Sequence, residues 1–479
     1  MSSGIEAPKA PMWQKSVFRG GTLSLLVLAL FSLKPQATAL QQVQAKGELT
    51  MVGVSGPTTF VQQDGNVRGF QYELAHLFAE QLGVKLVVGS ARSPDAVINA
   101  VRHGDADMAI TGLASDDPRL NRLRTGEPYL EVSQQLISRT DQPMPANFDS
   151  IHDARIAVAA GSSEAARLHE LVKQRPDLHE VDVPQADAFA LLDMVNDHKA
   201  DYVVLNSNEF NARRSLFPDL GVAVNLHDNA ELAWAFARNG DLSLFNAAQQ
   251  FLDKIDTDGT LDRLAAFYGQ QGGSNFDESS VRAFQRDIAQ RLPRYQKLFE
   301  KNAKSNEMDW HLLAAIAYQE SKWQAGATSP TGVQGIMMLT QSTAEYMDVA
   351  NRTNANESIR GGAAYYKEIA DRLPASVHEP DRTWMALAAY NMGPGAIDRA
   401  RQMTAAAGDD ADKWLHVSRH LREMAADARR HGRPAPAVGQ ALAYVQEVRR
   451  YYDAMLLNSE LQDSRVAMNT QNNGITRIR

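Results

Sequence analysis

The stretch Asp309-Trp-His-Leu-Leu-Ala-Ala-Ile-Ala-Tyr-Gln-Glu-Ser-Lys-Trp323 carries the spacing of an α-helix. Asp309 stands where an N-cap accepts the first unpaired N–H groups, and Leu313, Ile316 and Ala317 form the expected inward stripe. Glu320 follows them at seven, four and three residues, so the spacing puts it on the apolar face. A carboxyl held there loses hydration and its pKa rises. A general acid working near neutral pH requires that. Periodicity alone also accommodates a helix-terminal glutamate that snorkels to water or pairs with Lys322.

Working outward, residues 278–456 read as helices at 279–303, 308–323, 339–348, 356–372, 382–392, 394–404, 411–431 and 436–457, without strand signals. Upstream, Gly269-Gln-Gln-Gly-Gly-Ser-Asn275 reads as a linker. Before it the pattern changes to strand and helix in alternation: strand at Leu49–Val54, helix at Phe70–Leu82, strand at Lys85–Val88, helix at Ala96–His103, strand at Asp107–Ile110. A second run contains Arg155–Ala159 and Tyr202–Leu205, which predicts two α/β lobes in series. The expected fold is multidomain: a two-lobed α/β binding-protein-like domain over 40–269, then an all-α domain over 270–457 with a leading linker. Residues 458–479 are polar and unpatterned and are expected to be a disordered tail.

Residues 1–39 differ from the rest. Lys9, Lys15 and Arg19 precede the short apolar run Thr22–Leu33, and Ala37-Thr-Ala39 gives a small-residue exit, the pattern of a secretory signal peptide. An uncleaved membrane anchor is the alternative. The whole chain has a formal charge of −8, and loss of that segment removes more bases than acids. Such acidity disfavours binding to nucleic acid, which depends on Lys and Arg displacing counterions. With no cysteine, the chain has no disulfide, thiolate metal site or cysteine nucleophile. The twelve histidines show no metal-binding spacing, so neither metal nor cofactor is expected.

Three further segments follow Glu320-Ser321: Gly332-Val-Gln-Gly-Ile-Met-Met-Leu-Thr340, Ala388-Ala-Tyr-Asn-Met-Gly-Pro-Gly395 and Ala443-Tyr444-Val445. In this order they resemble the goose-type-lysozyme-like lytic transglycosylases over about residues 285–457. The resemblance implies a lysozyme-like fold acting on peptidoglycan glycan strands, with Glu320 as catalytic acid. It implies that Ser321 bonds near the acetamido or glycosidic oxygen, that Gln334, Tyr390 and Asn391 line the cleft, and that Tyr444 faces it from the late helix. Met338 stands where most members have glutamine, so a sugar hydrogen bond is replaced by a thioether. Hydrolytic glycosidases usually set two carboxylates across the bond. The motif segments supply none beside Glu320 except the cap Asp309, while Glu345 and Asp348 look solvated. This favours the family's chemistry, closure of a 1,6-anhydro ring on MurNAc without water. Two other readings stand beside it: an exported solute- or muropeptide-binding protein with a non-catalytic glycan domain, and a hydrolytic muramidase.

Residues 42–269 resemble the polar-amino-acid class of periplasmic solute-binding proteins. The resemblance rests on Gly69-Phe70, Gly104–Ile110, Arg119 nine residues before Pro128-Tyr129, and Asp253, Gly259, Asp262 and Leu264. It implies that Arg119 holds a ligand carboxylate and that Asn206 stands where the ligand's ammonium is usually met by an acid. Gln71 and Asp116 are further departures; an added charge at Asp116 and a lost one at Asn206 disfavour an ordinary amino acid. Two readings stand: a retained scaffold whose cleft no longer binds, and a changed ligand, a muropeptide or amino-acid-like molecule that regulates the helical half. The resemblances also imply a periplasmic location, peripheral on the inner face of the outer membrane.

Overall fold

The computed structural model describes residues 37–63, 66–184, 186–269, 278–432 and 437–473. Most of the expected signal peptide and linker lie outside them, as does the chain after Asn473. Residues 37–39 are described: Thr38 caps α1 (Ala39–Lys46), with Gln41 completing a reciprocal capping box.

The amino-terminal module is built on eight strands: β1 (Glu48–Val54), β2 (Lys85–Ala91), β3 (Met108–Ile110), β4 (Leu123–Arg139), β5 (Ala154–Ala159), β6 (Leu178–Val183), β7 (Tyr202–Asn206) and β8 (Leu220–Ala237). Their order is β2-β1-β3-β8-β4-β7-β5-β6. The outer strands pair in parallel within each lobe, as the alternation with helices requires. β4 and β8 are long, pair antiparallel and pass through both lobes, from Ala237↔Leu123 to Leu220↔Arg139. Their register shifts between Val222 and Ala235 put irregular backbone at the crossing between lobes. In the first lobe α2 (Phe70–Leu82) and α3 (Pro94–His103) cover the sheet; in the second α4 (Ser163–Val172) and α5 (Ala188–Asn196) do, and α6 (Ser207–Arg213), α7 (Ser243–Thr257) and α8 (Thr260–Phe267) complete the module. Phe70, Leu74, Phe78 and Trp234 pack in one core, Ile137, Leu191, Val203 and Phe210 in the other.

The carboxyl-terminal domain is all-α. Its central helix, α11 (Trp310–Ser321), is buried on every side from His311 to Tyr318, not only along the stripe the spacing suggested. A helix apolar all round is a core helix; Glu320, in its last turn, is half-buried instead of fully enclosed. Two expectations change here. The helix foreseen at 279–303 is broken into α9 (Glu278–Gln290) and α10 (Gln296–Ser305) by a 3-10 turn at Leu292–Arg294, since Pro293 cannot donate to a continuing helix. The last helix runs from Val438 to Asn473, where a disordered tail was expected from 458. No glycine or proline interrupts residues 440–473, so nothing local stops it.

Module and domain are in contact. Arg68 stacks on Tyr452 at 4.0 Å and lies 3.7 Å from Asp453. Arg449 covers Phe267 and Tyr268, and Phe267 meets Trp384 edge-on at 5.6 Å. Lys413 reaches Glu80 at 2.8 Å and Asp381 at 3.8 Å.

Candidate active site

Glu320 sits in the last turn of α11, just before a reversal of the chain. Lys322 and Trp323 both adopt left-handed backbone, with φ of 53° and 54°. Such conformations are costly for non-glycine residues and persist only where packing holds them. Here Trp323 is buried and its indole donates to the Ala314 carbonyl at 2.8 Å. Lys322 is held between the rings of Tyr318 and Tyr451, at 4.5 and 4.7 Å, and donates to the Tyr451 hydroxyl at 3.1 Å. The strain is thereby fixed next to the carboxyl.

Burial pushes the Glu320 carboxyl up to about 7. Two weaker influences oppose it: a hydrogen bond donated by the Tyr444 hydroxyl to Oε1 at 2.7 Å, and the charge of Lys322. Tyr444 comes from the last helix, 124 positions along the chain, and is itself buried. Its own hydroxyl is held well above the usual phenol range, first by burial and next by Glu320, so it stays a donor. No carboxylate figures among the causes of the Glu320 shift. Asp309 caps the far end of α11, accepting from His311 N–H at 2.8 Å and from the Tyr452 hydroxyl at 2.7 Å. Eleven residues of helix set it ~16 Å from Glu320. Glu345 and Asp348 are exposed.

The glycine-rich segment folds as a tight turn against this helix. Gln334 and Leu339 exchange two backbone hydrogen bonds, at 3.1 and 2.9 Å. Met338, half-buried within the turn, is left-handed at φ 46°. Gly335 has φ +90°, and a Cβ there would lie 1.9 Å from the Arg352 carbonyl oxygen, so only glycine fits. Ser321 ties the turn to α11. Its hydroxyl lies 2.9 Å from the Ile336 carbonyl and 3.1 Å from that of Ala317, and accepts from Gln324 N–H at 3.2 Å. Tyr390, in the last turn of the helix Asp381–Met392, donates to the Met337 carbonyl at 3.3 Å, and Asn391 follows it half-exposed. Burial chiefly, then Glu320, raises the Tyr390 hydroxyl well above its ordinary value.

The structure therefore gathers Tyr390 and Tyr444 around the Glu320 carboxyl, with Ser321 tying the turn that carries Gln334 and Met338 to the same helix. Besides the sugar contact expected of it, Ser321 has a structural role: its hydroxyl is engaged by backbone of α11 and of the glycine-rich turn. The sequence reading missed the Lys322–Tyr451 stack and the Trp323 anchor. Two consecutive left-handed residues carry no local signal, because neither is glycine or asparagine. In the module, Arg119 is bonded to Asp117 and not left open, while Asp116, the residue singled out for added charge, is exposed. Asn206 is buried at the end of β7, and the departure Gln71 donates to the Tyr129 hydroxyl at 2.5 Å.

Comparison with known proteins agrees with both halves. Residues 297–413 match the model for the transglycosylase SLT domain, and residues 50–271 that for bacterial extracellular solute-binding proteins, family 3. A membrane-bound lytic murein transglycosylase F of Ectopseudomonas mendocina is 38% identical over 93% of this chain and 92% of its own length. The chain belongs to the membrane-bound lytic murein transglycosylase F family. Another transglycosylase F, from Saccharophagus degradans, is 37% identical over 91% of this chain and 87% of its own. Among solved structures, an ancestral amino-acid-binding protein described as a precursor of cyclohexadienyl dehydratase covers 48% of this chain and 99% of its own, with 23% identity and a TM-score of 0.42. An ancestral arginine-binding protein bound to arginine gives 20% identity, 46% and 98% coverage and a TM-score of 0.41. Tyr444 lies beyond the segment that the transglycosylase model matches; the late-helix motif places it facing Glu320, and the fold supplies the hydrogen bond between them.

Proposed function

We propose that Glu320 is the single acid and base with which this peptidoglycan lytic transglycosylase cleaves the bond between MurNAc C1 and the O4 of GlcNAc. The observation that carries the assignment is a half-buried carboxyl raised to about 7 and held at 2.7 Å by Tyr444. A group ionising near neutrality can give and take a proton in one cycle. Tyr444 donates to Oε1, which leaves the proton of the acid form on Oε2. That proton goes to the leaving O4 of GlcNAc as the C1–O4 bond breaks. The 2-acetamido group supports the cation-like MurNAc C1. The Glu320 carboxylate then takes the proton of the C6 hydroxyl as O6 bonds to C1, closing the 1,6-anhydro ring and restoring the acid. No water enters, so no second carboxylate is needed to activate one.

Ser321 and Tyr390 act by holding the glycine-rich turn against α11, while Gln334, Met338 and Asn391 meet the sugar. The domain bounds follow: 40–269 as the non-catalytic regulatory module and 270–457 as the catalytic domain. The relatives are named membrane-bound, and no helix among the described residues is long and apolar enough to cross a membrane. Peripheral attachment on the periplasmic side of the outer membrane fits both facts.

Digestion of purified sacculi by the wild type and by Glu320→Gln tests the assignment. The variant should lose activity by about 10³-fold or more, and wild-type products should be lighter by one water than the products of a muramidase. Ordinary activity in Glu320→Gln, or reducing-end products, would sink it.

A further inference from the structure

The cleft of the amino-terminal module is closed on one of its own side chains. Asp117 belongs to the first lobe, just before the 3-10 turn Pro118–Arg122; Ser163 opens α4 in the second. The Asp117 side chain is wholly buried, whereas that of Arg119 keeps 22% exposure. Asp117 Oδ1 accepts from Arg119 N and Nε, both at 2.9 Å. Its Oδ2 accepts from Arg119 Nη2 at 2.8 Å and, across the cleft, from Ser163 N at 3.1 Å. A carboxylate offers about four lone-pair sites, and these four donors use them. The guanidinium fork is shaped for a carboxylate, and the first N–H of a helix has no partner within the helix. Fork and helix end thus make a carboxylate seat from two lobes, and the chain fills it from within.

The surroundings point to a missing donor. Gln134 Nε2 donates to Ser163 Oγ at 3.3 Å, and Gln134 pairs in register with Asn206. Gln134 and Asn206 are 3% and 4% exposed, yet Gln134 Oε1 and Asn206 Oδ1 have no hydrogen-bond partner. Unmet buried acceptors are unfavourable, and Asp117, an acceptor itself, cannot serve them. Glu164 flanks the seat, with Oε2 3.2 Å from the Ser163 hydroxyl. A second link between lobes runs from Thr58 Oγ1 to Glu209 Oε1 at 2.5 Å.

We infer that Asp117 is an intramolecular ligand, occupying a two-lobe carboxylate seat, holding the lobes together and excluding free carboxylates. Once Asp117 is removed, the seat takes a small carboxylate, and one that also carries an N–H donor for Gln134 and Asn206 binds better. Any natural ligand of this cleft must displace Asp117 or bind beside it.

The test uses the full chain as wild type, Asp117→Ser and Asp117→Asn. Each is titrated with sodium acetate or glycine, with sodium chloride at matched ionic strength, and followed by thermal unfolding and calorimetry. Serine is too short for the fork but retains an oxygen to cap Arg119 N–H. Asparagine matches aspartate in size and still fills the seat. Asp117→Ser should show a saturable rise in Tm of about 2–4 °C with acetate, reached at lower concentration with glycine. Wild type and Asp117→Asn should show no rise beyond that with chloride. An equal acetate response in wild type, or none in Asp117→Ser, overturns the inference. Should Asp117→Ser fail to fold unaided, acetate and not chloride should restore its refolding yield; no recovery counts against the seat.

Discussion

Replacing Glu320 by glutamine should stabilise the protein, and by an amount that grows with pH. In the fold this carboxyl ionises near 7 instead of 4.5, because burial strips water from the charged form. At about 1.4 kcal/mol per tenfold, the fully ionised group costs the folded state about 3 kcal/mol. Partial exposure at the cleft screens some of this, which leaves about 2 kcal/mol to be seen between pH 5 and pH 8.5. The sign follows from the direction of the shift. A carboxyl raised above its unfolded value binds its proton more tightly in the fold, so its favourable contribution is present at low pH. It is lost as pH climbs from 4.5 through 7. Glutamine is nearly isosteric, keeps an oxygen for the Tyr444 hydroxyl and never ionises. The two proteins should thus unfold at similar temperatures at pH 5. By pH 8.5 Glu320→Gln should unfold about 4–8 °C higher. Differential scanning calorimetry across that range measures the gap. A gap that stays constant with pH, or a wild type that gains on the variant as pH rises, would refute burial as the origin of the shift.

Two further outcomes follow from the same geometry. Tyr444→Phe removes a donor to the ionised carboxyl, so Glu320 should titrate higher still, by about one pH unit. The alkaline limb of the pH profile of kcat/KM for muropeptide release should move up with it, while peak turnover falls on the order of tenfold. Ser321→Ala unties α11 from the glycine-rich turn and should lower stability by about 1–3 kcal/mol; thermal unfolding reads this, and turnover should fall far less than in Glu320→Gln.

Met338 and Arg119 mark the limits of reasoning by local pattern. Both stand in recognisable motifs, and the structure gives each a property the motif does not contain. Met338 takes left-handed backbone in a turn that meets Ser358, through the Met337 N–H at 3.3 Å, and Arg352, through the Leu339 carbonyl at 3.0 Å. Arg119 is answered by Asp117, only two residues away. The choice of Asp117 over Asp116 depends on which carboxylate faces the second lobe, and adjacency does not reveal that.

What this sequence determined by itself was local and periodic. The strand–helix alternation to Gly269, the switch to helical spacing after it, the core positions Leu313, Ile316 and Ala317, and Glu320 as a carboxyl on an apolar surface all follow from side-chain spacing and turn chemistry. Tertiary structure decided what depends on distant partners meeting. It brought Tyr444 to Glu320 across 124 positions, buried α11 on all sides from His311 to Tyr318, and closed two lobes over Asp117. The physical reason is that desolvation and hydrogen bonding are set by whatever packs against a group. Spacing along a chain fixes a side chain's direction, and only the assembled fold fixes what it meets there.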